Sequence, residues 1–199
     1  MTNRARILST ITLLAMALVI ATTSAAAQLN SNVGTVTLNA TLPESLTVSV
    51  TGGAVVNFTL AANTAANPGS TTSTIQTAWV LAPGRTKVTV WAWVANGASA
   101  LTDGAGDNIA ASQVTATAAG SGSAGGALNT SASGGAGVPA FITPAAATGV
   151  QIGNVTITGA NRASSTTTTL TWNINTTATP QLPAATYTGT VNIQAQATP

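Results

Sequence analysis

Few side chains in this 199-residue sequence can move a proton, hold a metal or attack a bond. It has no histidine and no cysteine. Imidazole acid–base chemistry, Ser-His-Asp and Cys-His nucleophiles, and Cys or His metal sites are therefore excluded. The acids are Glu44, Asp103 and Asp107. Asp103 and Asp107 lie in Thr-Asp-Gly-Ala-Gly-Asp-Asn, a spacing that invites comparison with a calcium loop. That loop needs more oxygen ligands, a closing Glu and flanking helices, and none is legible here. Asp, Gly and Asn are also the residues that tolerate tight backbone geometry, so a turn is expected. A glycosidase pair would require Glu44 to meet Asp103 or Asp107 at about 5–9 Å, and nothing in their spacing arranges that. Lys87 is the single lysine and stands beside Arg85 in a strand-like run, where both read as polar exposed-face residues. No catalytic residue, no metal ligand and no cofactor is assigned, and an enzyme is not expected.

Aromatic residues offer recognition in place of catalysis. Trp79 and Trp172 alternate in phase with aliphatic neighbours and are expected in a core. Trp91 and Trp93 fall out of phase with Val88, Val90 and Val94. Two readings follow. Either the pair is exposed and stacks on a sugar ring or a neighbouring subunit, or it faces the core while the valines pack under a loop. Trp91 and Trp93 are thus the candidate ligand-binding residues, with a surface glycan as the possible partner.

The elements that position these residues are strands. Thr, Val and Ile are plentiful and favour a pleated surface. Val36, Leu38, Ala40 and Leu42 alternate with Thr35, Thr37, Asn39 and Thr41. Leu46, Val48 and Val50 form a second such run, closed by Gly52-Gly53. Val56 to Leu60 is a further candidate. Ile75, Trp79 and Leu81 share a face in 74–82, Pro83-Gly84 marks a turn, and 86–95 follows. Leu170, Trp172 and Ile174 alternate late in the chain, and Tyr187, Val191 and Ile193 mark the last strand. Runs of this kind, separated by Gly and Pro, predict an all-β fold: a single antiparallel β-sandwich spanning 28–199. The Ala/Gly/Ser-rich stretch at about 118–137 has little apolar area and is expected to be a flexible loop or a loose hairpin tip.

Residues 1–27 read as an export signal. Arg4 and Arg6 precede an apolar run from about Ile11 to Ala21, and Ala25 and Ala27 occupy the A-x-A cleavage positions. That run is too short to span a bilayer, for which about 20 residues are needed. Cleavage before Gln28 leaves Arg85, Lys87 and Arg162 against Glu44, Asp103 and Asp107, a net charge of zero. A basic patch for nucleic acid or anionic lipid is absent, so neither a nucleic-acid partner nor membrane insertion after cleavage is expected. The expected location is secreted or cell-surface, reached by export through the inner membrane.

Charged residues make up 4% of the chain, against about 25% in an average domain. Outward faces built from Thr, Ser, Asn, Gln and Ala lack the lysines that normally blunt sheet edges, which favours edge-to-edge pairing. Self-association into a homopolymer is therefore expected. The segment 28–42 is the candidate donor strand, through Val36, Leu38, Ala40 and Leu42. The alternative is that it forms the first strand of its own sandwich.

Three stretches carry a family likeness. They are Val-Thr-Leu-Asn-Ala-Thr-Leu-Pro-Glu-Ser-Leu-Thr-Val-Ser-Val (36–50), Asn-Ile-Ala-Ala-Ser-Gln-Val (108–114) and Leu-Pro-Ala-Ala-Thr-Tyr-Thr-Gly-Thr-Val-Asn-Ile (182–193). With the leader, they resemble bacterial secreted β-sandwich subunits of the spore-coat-protein-U-like and fimbrial pilin type. Pro183 to Tyr187 is similar to the Pro-x-Gly-x-Tyr that precedes the last strand in those families, with Ala185 at the glycine position. The resemblance implies an immunoglobulin-like sandwich with a structural or adhesive role at the cell surface, as a coat, pilus or fibre subunit. It implies no catalytic residues.

Overall fold

The computed structural model describes residues 29–120, 122, 125–131, 147–179 and 181–199. The expected signal at 1–27 and residues 121, 123–124 and 132–137 of the expected loop lie outside them. The chain divides into two units, Met1–Thr41 and Leu42–Pro199. In the first, residues 29–41 carry no regular secondary structure and are exposed throughout.

The second unit is an antiparallel β-sandwich. In chain order its strands are β1 (Ser45–Gly52), β2 (Asn67–Pro68), β3 (Ser73–Val80), β4 (Lys87–Val94), β5 (Leu101–Thr102) and β6 (Asn108–Ile109). After one short 3-10 turn, Ala111–Gln113, come β7 (Val114–Gly120), β8 (Gly125–Ala127), β9 (Thr130–Ser131), β10 (Thr148–Thr156), β11 (Ala163–Ile174) and β12 (Asn192–Thr198). One sheet runs β1-β3-β11-β7-β8, with β2 also paired to β11; the other runs β12-β4-β10-β9; β5 and β6 form a separate hairpin.

Alternation dictates the core. In β3, Ser73, Ile75, Thr77 and Trp79 are buried while Gln76 is exposed. In β4, Val90, Ala92 and Val94 share a cluster with Ile152 of the neighbouring β10 and with Ile75, Leu170, Trp172 and Ile174 of the other sheet. A second cluster at one end joins Trp79, Leu81, Val88 and Ile157. Fully burying a side chain of Val or Leu size contributes about 1.5–3 kcal/mol, so the two inner faces hold the layers together.

Several strand assignments move. Residues 34–42 form no strand. Of 56–60, only Phe58 bridges, to Gly69. The last strand begins at Asn192, because Thr188 pairs singly with Thr102 and the chain crosses between layers before joining β4. The expected loose loop is partly ordered. β7 reaches Gly120, β8 pairs with it, and Leu128 is fully buried. Small residues suffice there because backbone pairing orders the hairpin and Leu128 anchors it in the core.

Candidate assembly groove

Between two irregular segments at one edge of the sandwich lies an open groove of about 980 Å3. Its first lip, 53–62, continues from β1. Gly53 turns the chain at φ +62°, where a Cβ would run into the Thr72 carbonyl; only glycine adopts that geometry without strain. Two buried polar side chains then fix the lip. Asn67 Oδ1 accepts from the Ala61 N–H at 2.7 Å, and its Nδ2 donates to the Ile174 carbonyl at 2.9 Å. Thr176 Oγ1 donates to the Ala61 carbonyl at 2.7 Å and accepts from the Thr64 N–H at 2.9 Å. These groups are 3% and 1% exposed, and pairing them removes the cost of burying polar atoms.

The second lip, 182–191, precedes β12. The Tyr187 hydroxyl donates to the Pro183 carbonyl at 2.9 Å and ties off the bend. Thr188 exchanges two 2.9 Å backbone bonds with Thr102. Gly189 packs so closely on Ala100 that a Cβ would meet its carbonyl oxygen. Desolvation, then the Asp107 and Asp103 carboxylates, push the Tyr187 phenol up from its ordinary value.

The floor is the sandwich core itself: Ile75, Val114, Leu128, Trp172 and Ile174. Trp172 Nε1 donates to Ser73 Oγ at 2.9 Å, and Ser73 Oγ donates to the Gly53 carbonyl at 2.7 Å, joining floor to lip. No Asp, Glu, Lys or Arg is among the described residues lining the groove. Val55 on the first lip is 73% exposed, and Val56, Phe58, Leu60, Val191 and Ile193 are only partly buried. Such a surface suits an apolar, extended occupant.

The chain carries a segment of that form. In the first unit Val33, Val36 and Leu38 are 87%, 84% and 89% exposed, and Leu42 at the start of the second unit is 79% exposed. Of the candidate donor residues, Val36, Leu38, Ala40 and Leu42 are all solvent-facing.

The remaining candidates fall elsewhere. Val88, Val90, Ala92 and Val94 face inward, which leaves Trp91 and Trp93 on the opposite face of β4. Trp91 is nevertheless only 5% exposed, and Trp93 is half-buried. Solvent thus hardly reaches the Trp91 ring, while the Trp93 ring stays partly open. Neither indole Nε1 has a hydrogen-bond partner. The Asp103 carboxylate folds back on its own loop and accepts from the N–H groups of Ala105 (2.8 Å), Gly106 (3.1 Å) and Asp107 (3.0 Å), which makes a turn. Among the described residues no cluster of acids could hold a metal. Glu44 pairs with Arg85 at 3.2 Å and accepts from the Ala82 N–H at 2.7 Å. Arg85 foremost, then Ala82, hold its carboxyl below the usual carboxylate value. Lys87 opens β4. Residue pattern alone did not single out Ser73, Asn67 or Thr176, because a Ser, an Asn or a Thr becomes structural only through distant partners.

Fold and groove together define the class: an antiparallel β-sandwich with an apolar groove along one edge. No family model matches the chain, and neither a curated protein nor a solved structure does.

Proposed function

We propose that this chain is a non-catalytic, exported structural subunit of a cell-surface coat, pilus or extracellular fibre, and that copies join by strand donation. The segment around Val36–Leu42 of one copy lies in the groove of the next, with Val36, Leu38, Ala40 and Leu42 against its floor. The observation that carries this reading is that one chain holds both an exposed alternating segment and an open apolar groove. A strand of seven residues extends about 20 Å, on the scale of the ten-residue first lip. Both features leave apolar area in water that addition of a strand would cover, and strand addition also satisfies backbone groups along the lips. A donor at one place and an acceptor at another make a heterologous contact, which propagates as a filament. The leader and the likeness to coat and fimbrial subunits support the surface location.

The test is deletion. Material shed from producing cells is imaged by negative-stain microscopy for the full chain and for a chain lacking residues 28–42. Filaments or sheets are expected from the first and dispersed particles from the second. A monodisperse monomer of the undeleted exported chain at high concentration would sink the reading.

A further inference from the structure

The six charges of residues 29–199 are segregated. Glu44, Arg85, Lys87 and Arg162 gather at one end of the sandwich. Glu44 adjoins Ser45, which pairs with Val80; Ala163 also pairs with Val80; Lys87 pairs with Thr156 and Thr198. Arg162 Nη1 donates to the Ala82 carbonyl at 2.7 Å, in the same turn as Arg85. Glu44 and Arg85 neutralise each other, so Lys87 and Arg162 carry the remaining side-chain charge of this end. Asp103 and Asp107 lie beyond the other end of β4, in the loop of the β5–β6 hairpin. The eight residues of β4 set the two ends roughly 23 Å apart. The groove belongs to the acidic half. Thr102, next to Asp103, bridges to Thr188 on the second lip, and the groove runs from Val50 and Ile193 toward Ala61 and Leu182.

The candidate donor segment is rooted at the basic end. Only Pro43 and Glu44 separate Leu42 from Ser45. A linker that short spans about 10 Å, close to one screening length at physiological salt. A donor seated up to Leu42 therefore brings its own basic end within electrostatic reach of the acceptor. Which part of the acceptor it meets depends on the direction in which the segment lies. With Leu42 at the mouth by Ala61 and Leu182, the basic end faces the Asp103–Asp107 loop. With the segment reversed, it is carried away from that loop.

We propose that this opposition of charge sets the direction of assembly. The Lys87/Arg162 end of one copy docks on the Asp103–Asp107 loop of the next, and the donated segment enters with Leu42 at the acidic mouth, antiparallel to 182–191. The proposal rests on the strand-donation reading above and adds to it the partner surface, a second copy of the chain. Complementary charge acts mainly on encounter and register, so its signature is in rate more than in final stability.

The test is salt-dependent assembly of the exported chain, depolymerised in denaturant and returned to buffer, with elongation followed by light scattering. Between about 20 mM and about 300 mM salt the screening length shortens from roughly 20 Å to roughly 6 Å. The elongation rate should fall about tenfold or more. Asp107→Lys and Lys87→Asp should each slow elongation at low salt, and the two in one chain, which leave each surface with one side-chain charge of either sign, should elongate slowly and with little dependence on salt. Both substitutions are at surface positions, and an unchanged urea midpoint of each depolymerised variant guards against a folding defect. Elongation that is indifferent to salt and to both substitutions would overturn the charge proposal and leave strand donation standing. A wild-type chain that forms no polymer at any salt would overturn both.

Discussion

Leu38→Ala tests strand donation with the least disturbance to the subunit. In the first unit the Leu38 side chain is 89% exposed, so truncating it removes no packing from the free molecule. Seated in a groove floored by Ile75, Trp172 and Ile174, the same side chain would lose most of its contact with water. Shortening it to alanine should then cost about 2 kcal/mol per junction, or roughly thirtyfold in the junction's dissociation constant. Two urea titrations separate the effects. Light scattering reports loss of polymer, and tryptophan fluorescence of depolymerised material reports unfolding of the sandwich. The first midpoint should fall and the second should stay put. Thr37→Ala, on the opposite face of the segment, should move neither by much. Leu38→Glu should abolish polymer, because a carboxylate would enter a groove lined by no basic side chain. If Leu38→Ala leaves polymer stability unchanged, or if it destabilises the isolated sandwich, the donor argument is wrong.

Two further outcomes follow from groups already described. Ser73→Ala strands the buried Trp172 indole N–H and releases Gly53; it should lower subunit stability by about 1–3 kcal/mol, read as the urea midpoint. Acid should also weaken the fold in a defined window. The Glu44 carboxyl is lowered from 4.5 by Arg85 and the Ala82 N–H, and Asp103 is lowered from 3.8, chiefly by the Ala105 N–H. Both are depressed in the folded state, so their contribution is present above the ordinary carboxylate values and is lost as pH falls through the folded ones. The urea midpoint should be level from neutral pH to about 5 and should drop below about 4; Glu44→Gln with Asp103→Asn should flatten that drop. A midpoint insensitive to acid in the unsubstituted chain would contradict the assignment.

Much of the fold could be read from alternation where a strand is flat and sided. β1, β3, β4 and the Leu170–Ile174 half of β11 lie where period two places them. β10 was illegible for a physical reason. Its register shifts between Gln151 and Gly153, so Val150 opposes Ala92 while Val155 opposes Val88. The two valines are five residues apart, on opposite phases, yet both partners face the core. A bulge resets the phase, and a pattern search that assumes one phase finds nothing. The first half of β11 was hidden differently. Its Ser and Thr residues carry no apolar stripe, and pairing with β3 makes them a strand.

By itself the sequence determined the β architecture, the lack of imidazole and thiol chemistry, and the alternation of Val36, Leu38, Ala40 and Leu42. Those follow from residue type and nearest-neighbour spacing, which act before the chain folds. Only the tertiary structure decided that this alternation forms no strand, that Trp91 is buried on the face opposite Val90, and that Glu44 meets Arg85 while the two aspartates sit at the far end. Each depends on which distant segments come to lie side by side, and strand register, not local preference, settles that. The groove is the clearest case: residues 53–62 and 182–191 are more than a hundred positions apart, and nothing near either one in the chain announces the space between them.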